Sequence, residues 1–115
     1  MPLGTEFKEI VADRVRNSAE FRRLVFERAA RDLLNGDLGD AKLALRDYVN
    51  GTIGFQALGS ALGKKPESLM RMLSPVGNPT SANLVAIIQH LRGHERIAFE
   101  VTGVETGVPH ETVPA

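Results

Sequence analysis

The chain has no cysteine and no tryptophan, a single tyrosine, and no surplus of charge of either sign. Without cysteine there is no disulfide scaffold, no zinc-finger cysteine site and no thiol nucleophile. The absence fits a reducing compartment. No apolar run approaches the roughly 18 residues needed to span a bilayer. The first residues lack the basic-then-apolar layout of a secretion signal. A cytoplasmic protein with no membrane partner is therefore expected. No glycine-rich phosphate loop, nucleophile–base pair or pair of carboxylates at catalytic spacing stands out, so neither an enzyme nor a bound cofactor is expected.

What is present fits one globular domain. The 115 residues are 43% apolar and 24% charged, which suffices to bury a core without metal or disulfide support. Fourteen basic side chains balance fourteen acidic ones, and a zero net charge argues weakly against a nucleic-acid binder. The distribution says more. Residues 1–53 carry nine of each sign. Residues 54–96 carry five basic side chains (Lys64, Lys65, Arg71, Arg92, Arg96) against Glu67 and Glu95, and residues 97–115 carry only Glu100, Glu105 and Glu111. Phosphate attraction needs a local surplus rather than a global one, and the central block has it.

Helical spacing runs through the first half. Thr5 caps a first helix, with Phe7, Ile10, Val11 and Val15 on one stripe. Ser18 caps a second, with Phe21, Leu24, Val25, Ala29 and Leu33, closed by Asn35-Gly36. Asp37 or Asp40 caps a third, with Ala41, Ala44, Leu45, Tyr48 and Val49 on one face and Lys42, Arg46 and Asp47 mostly elsewhere. Asn50-Gly51 is its stop signal. These three helices read as scaffold, the alternative being a partner-binding surface.

The segments then shorten. Phe55–Leu62 is one brief helix and Gly63 breaks it. Pro66–Leu73 is a second, with proline at the first helical position, where its missing N–H has no intrahelical role. Residues 74–79 form a loop rich in proline and glycine. Asn78 or Thr80 caps a sixth helix with Leu84, Ile87, Ile88 and Leu91 inward, ended by Gly93. Two short helices around a glycine turn are the signature of a helix-turn-helix, here spanning 54–92. Leu58, Leu62, Leu69 and Leu73 fix the pair against the core. The second helix then offers Lys65, Glu67, Ser68, Arg71 and Met72 to a DNA major groove, with Lys64 in the turn facing phosphate.

Ile97, Phe99 and Val101 alternate with Ala98, Glu100 and Thr102, and period two predicts a short strand. A lone strand cannot satisfy its own backbone, so Ile97, Phe99 and Val101 are expected at the interface of a homodimer. The domain is expected to end at 102, with 103–115 a mobile tail. His90 and His94 are four apart, but with Gly93 ending the helix between them and no third ligand, a metal site is not expected.

The stretch Gly54–Ser74, with Glu67-Ser68-Leu69 in its second helix and Ser74-Pro75-Val76-Gly77-Asn78-Pro79-Thr80 after it, resembles the antidote proteins of bacterial toxin–antitoxin addiction modules. The likeness covers roughly residues 19–102, with Leu33-Leu34-Asn35-Gly36-Asp37 similar to that family's Gly-Asp helix break. It implies a lambda-repressor-like fold: mainly α, about six helices with the helix-turn-helix, and one short C-terminal strand paired across a dimer. It also implies a dimeric repressor that binds a double-stranded operator before its own genes and silences a cognate toxin, commonly a small ribosome-dependent ribonuclease.

The chain departs from the family where Ala57-Leu58-Gly59 replaces Gln-Leu-Ala, although Gln56 stands one position earlier, and where Lys65-Pro66 replaces Ser-Arg. Pro66 has no side-chain donor and Lys65 is less geometrically exacting than arginine. The expected DNA contacts are Gln56, Lys64, Lys65, Glu67, Ser68 and Arg71, with readout concentrated on Ser68 and Arg71 and a salt-sensitive affinity. The alternative is an interaction module that binds a toxin or another partner without touching an operator.

Overall fold

A computed structural model describes residues 3–107, with side chains from Phe7 onward. Six helices follow one another: α1 (Leu3–Asn17), α2 (Ala19–Leu34), α3 (Leu38–Gly51), α4 (Gly54–Leu62), α5 (Pro66–Met72) and α6 (Ser81–Glu95). No described helix is long and apolar enough to cross a membrane.

The caps explain most of the boundaries. Ser18 Oγ accepts from the Phe21 amide at 3.1 Å, and Thr80 Oγ1 accepts from the Asn83 amide at 3.1 Å. Each satisfies one of the donors a helix start leaves orphaned. Asp37 stands at the N-cap of α3 but makes no side-chain cap bond. α1 begins before Thr5, the residue expected to cap it. α6 runs through Gly93 to Glu95 and stops at Arg96, which takes the left-handed conformation. His90 and His94 therefore share one helix. No group of three metal-ligating side chains occurs among the described residues.

α3 is the central element. Ala41, Ala44, Leu45, Tyr48 and Val49 are all buried, as the spacing predicts. Around them pack Val15, Phe26, Ala29, Phe55, Leu58, Leu69, Leu73, Leu84, Ile87 and Leu91. The face of α2 differs from expectation. Phe26 is fully buried, stacked on the Tyr48 ring at a centroid distance of 4.9 Å, while Leu24 is exposed. The stripe of α1 is also only partly inward: Val15 is buried, but Phe7 and Ile10 are 66% and 58% exposed.

A polar knot ties the middle of α3 to both neighbours. Glu95, 5% exposed at its side chain, accepts from Tyr48 Oη at 2.5 Å and from Arg22 Nε at 2.7 Å. Arg22 also donates to the Val15 carbonyl at 3.2 Å. Burial pushes the Glu95 carboxyl up, but the two donors and the Arg22 charge outweigh it and hold the group below the usual glutamate value. Burial and the Glu95 carboxylate together push the Tyr48 phenol up.

The expected C-terminal strand is absent, since no strand occurs among the described residues. Residues 97–102 have no regular structure and follow the chain's own helical core. Ile97 and Phe99 pack on the core, and the Phe99 ring meets Phe26 edge-on at 5.1 Å. The Ile97 amide donates to the Arg92 carbonyl at 3.2 Å, and the Arg92 guanidinium donates to the Ile97 carbonyl. The period-two pattern thus records Ile97 and Phe99 packed on a helical core, with Ala98 and Glu100 exposed between and after them. Ile97 and Phe99 are half-buried against the chain's own core, and Val101 is 73% exposed. Residues 103–107 are exposed without regular structure, and the rest of the expected mobile tail, 108–115, lies outside the described residues.

Candidate nucleic-acid interface

α4 and α5 are joined by Gly63, Lys64 and Lys65. Gly63 ends α4 at φ 66°, ψ 35°, the left-handed region that favours glycine. The Lys64 amide then donates back to the Gly59 carbonyl at 2.9 Å. Lys65 is extended, at φ −70° and ψ 138°, as a residue before proline tends to be. Pro66 opens α5 at its first position.

Gly59 explains how closely the turn folds. A Cβ there would meet the Lys64 carbonyl and lie 3.4 Å from the Pro66 ring. Two of the departures from the antidote pattern are therefore neighbours in space, because a side chain at Gly59 would reach the Pro66 ring.

Leu69 and Leu73 are fully buried and lock the inner side of α5, with Met72 half-buried beside them. The outer side carries Glu67, Ser68, Met70 and Arg71, all exposed. Lys64 and Lys65 are exposed just before it, and Gln56 is exposed on α4 beside Ala57, Ser60 and Ala61. All six expected contact residues are thus at the surface, and five of them cluster on the turn and the outer side of α5. Met72 is a packing residue instead. None of the six side chains has an ion pair among the described residues. Arg71 is therefore not consumed by an internal partner.

Sequence reasoning missed two residues behind this surface. Lys42 of α3 is only 5% exposed. Its ammonium donates to the Gly77 carbonyl at 2.7 Å and the Pro75 carbonyl at 3.3 Å. One turn on, the Arg46 guanidinium donates to the Leu73 carbonyl at 2.8 Å. The only sequence signal is a pair of cations four residues apart on a helix otherwise rich in apolar side chains, which reads equally well as a solvated face. Ser74 adds its own hydroxyl to the Arg71 carbonyl at 2.7 Å. Gly77 lies so close to the end of α5 that a Cβ would overlap the Arg71 and Met72 carbonyls.

No protein-family model, curated protein or solved structure matches the chain at a significant level.

Proposed function

We propose that α4 and α5 form a lambda-repressor-like helix-turn-helix and that the chain is a DNA-binding regulator of antitoxin type, repressing its own operon and neutralising a cognate toxin. The observation that carries this reading is the division of α5. Leu69 and Leu73 are buried, while Ser68 and Arg71 are exposed next to Lys64 and Lys65, with no ion pair to any of these side chains among the described residues. A helix held on one side and offering a polar, basic-flanked face on the other is the arrangement a major groove accepts. Lys64 and Lys65 meet phosphate, Gln56 contacts the backbone from α4, and Glu67, Ser68 and Arg71 face base edges.

In this reading the regulator is a homodimer on a double-stranded operator, since helix-turn-helix dimers read paired half-sites. The toxin docks elsewhere. Phe7, Ile10 and Leu24 are large, apolar and exposed on α1 and α2, and such residues mark protein-interaction surfaces when they cluster. That observation also favours the second reading, an interaction module that captures a toxin and binds no operator.

A gel-shift with the DNA upstream of the chain's own gene separates the two. The regulator retards that duplex at submicromolar protein, and Arg71→Ala weakens binding about tenfold, the scale of one good arginine–guanine contact. No retardation at micromolar protein at low salt, together with co-purification of the neighbouring gene product, selects the interaction module.

A further inference from the structure

We infer that Lys42 and Arg46 are positioning residues for the DNA-reading helix: from α3 they clamp the C-terminal end of α5 and the loop behind it, and so set the direction in which Ser68 and Arg71 face. The inference rests on the regulator reading above.

The end of α5 needs such a clamp. A helix of seven residues leaves most of its last carbonyls without intrahelical partners and concentrates partial negative charge there. The Arg71 carbonyl is met locally, by the Ser74 amide at 3.1 Å and the Ser74 hydroxyl. Three carbonyls beyond it are met from α3. Arg46 takes Leu73, while Lys42 takes Pro75 and Gly77. Arg46 thus answers the negative end of the short helix, and Lys42, one turn earlier on α3, holds the loop that follows it.

Lys42 is informative because its burial is costly. An ammonium removed from water needs hydrogen bonds to offset the lost hydration. Lys42 has no carboxylate partner among the described residues, and its ammonium donates to two loop carbonyls. A packing role alone would be served by methionine or leucine at lower cost. The charge makes sense as a means of fixing one loop shape. Gly77 completes the arrangement, because only a residue without Cβ lets the loop close onto the Arg71 and Met72 carbonyls. The Gly77 amide then returns a hydrogen bond to the Ser74 carbonyl at 3.0 Å.

The clamp's hydrogen bonds go to the Leu73, Pro75 and Gly77 carbonyls and not to the exposed contact side chains. Its effect on DNA binding is therefore on discrimination rather than on phosphate attraction. A phosphate-contacting lysine changes the salt dependence of affinity, and a buried lysine does not.

The test uses the full chain as Lys42→Met, Arg46→Ala and Arg46→Lys, with Lys65→Ala as the phosphate-contact control. Two probes are used: a duplex carrying the upstream sequence of its own gene and a scrambled duplex of equal length. Lys42→Met and Arg46→Ala should reduce the ratio of specific to scrambled affinity about tenfold, as loss of one well-aimed base contact does. Their slope of log affinity against log salt should match the parent's, while Lys65→Ala lowers that slope by about one. Arg46→Lys, which keeps a donor for the Leu73 carbonyl, should recover most of the discrimination. Amide exchange in the free protein should quicken at Ser74 and Gly77 in both disruptive variants while far-ultraviolet circular dichroism stays helical.

Should Lys42→Met fail to fold, the half-buried Arg46 pair carries the same comparison. Unchanged discrimination in folded variants, or unchanged exchange at Ser74 and Gly77, overturns the clamp. A parent chain that does not prefer its upstream duplex at all overturns the regulator reading itself, and the two failures are told apart by that parent measurement.

Discussion

Gly77 is the residue whose role changed most between sequence and structure. In the sequence it belongs to a loop motif, where a glycine reads as a turn former. In the fold it is a matter of space, because a Cβ would overlap two carbonyls at the end of α5. Backbone has little freedom to yield there, held as it is by Ser74, Lys42 and Arg46. Gly77→Ala should therefore destabilise the chain by about 1–3 kcal/mol, the usual cost of overpacking a fitted site, measured by urea unfolding. A loss under about 0.5 kcal/mol would show that the loop can relax away from α5. Lys42 teaches the converse lesson. Its burial was not legible because a lysine next to an apolar stripe normally lies in water. Only the arrival of distant carbonyls, 33 and 35 residues along the chain, gives that ammonium a reason to be inside.

Among the elements, existence and order were legible because they are written in local chemistry. Ser18, Gly36, Gly63, Pro66 and Thr80 all mark helix ends in the fold as they do in the sequence. Thr80→Ala removes the acceptor for the Asn83 amide and should cost about 1 kcal/mol, with the first turn of α6 exchanging faster by NMR while its later turns stay protected. What local signals did not carry was the facing of α2. Two candidate stripes share its surface, and Phe26 belongs to the inner one because Tyr48 and Phe99 meet it there. The alternation from Ile97 to Thr102 failed for a similar reason. Period two records which residues are covered, not what covers them, and here helices do so rather than another strand. Gly93 is a stop signal in the sequence, yet α6 passes through it to Glu95, which Tyr48 and Arg22 hold inward.

At the scale of the whole molecule, that Glu95 knot joins α2, α3 and the end of α6 through a charged centre, so the fold should register its titration. The Glu95 carboxyl is held below its ordinary value of 4.5. Its contribution is therefore fully present above that value and is lost as pH falls through the lowered one. Tyr48 has the opposite sign. Its phenol is raised above 10.0, so its contribution is intact below pH 10.0 and is lost as pH rises further. Asp47 opposes the acid limb. Burial raises its carboxyl above 3.8 despite the nearby Arg46 and Lys8, so protonating it relieves a cost and partly offsets the loss at Glu95. Stability measured by urea unfolding should thus be flat from about pH 5 to 9 and fall on both sides. Glu95→Gln removes the charge that both Tyr48 and Arg22 address. It should cost about 1.5–3 kcal/mol near neutrality, the range for hydrogen bonds to charged groups, and flatten the acid limb, leaving any residual slope to the other carboxylates. An acid limb as steep in Glu95→Gln as in the parent would place the titrating group elsewhere, and the knot would then be a geometric tie between helices without electrostatic weight.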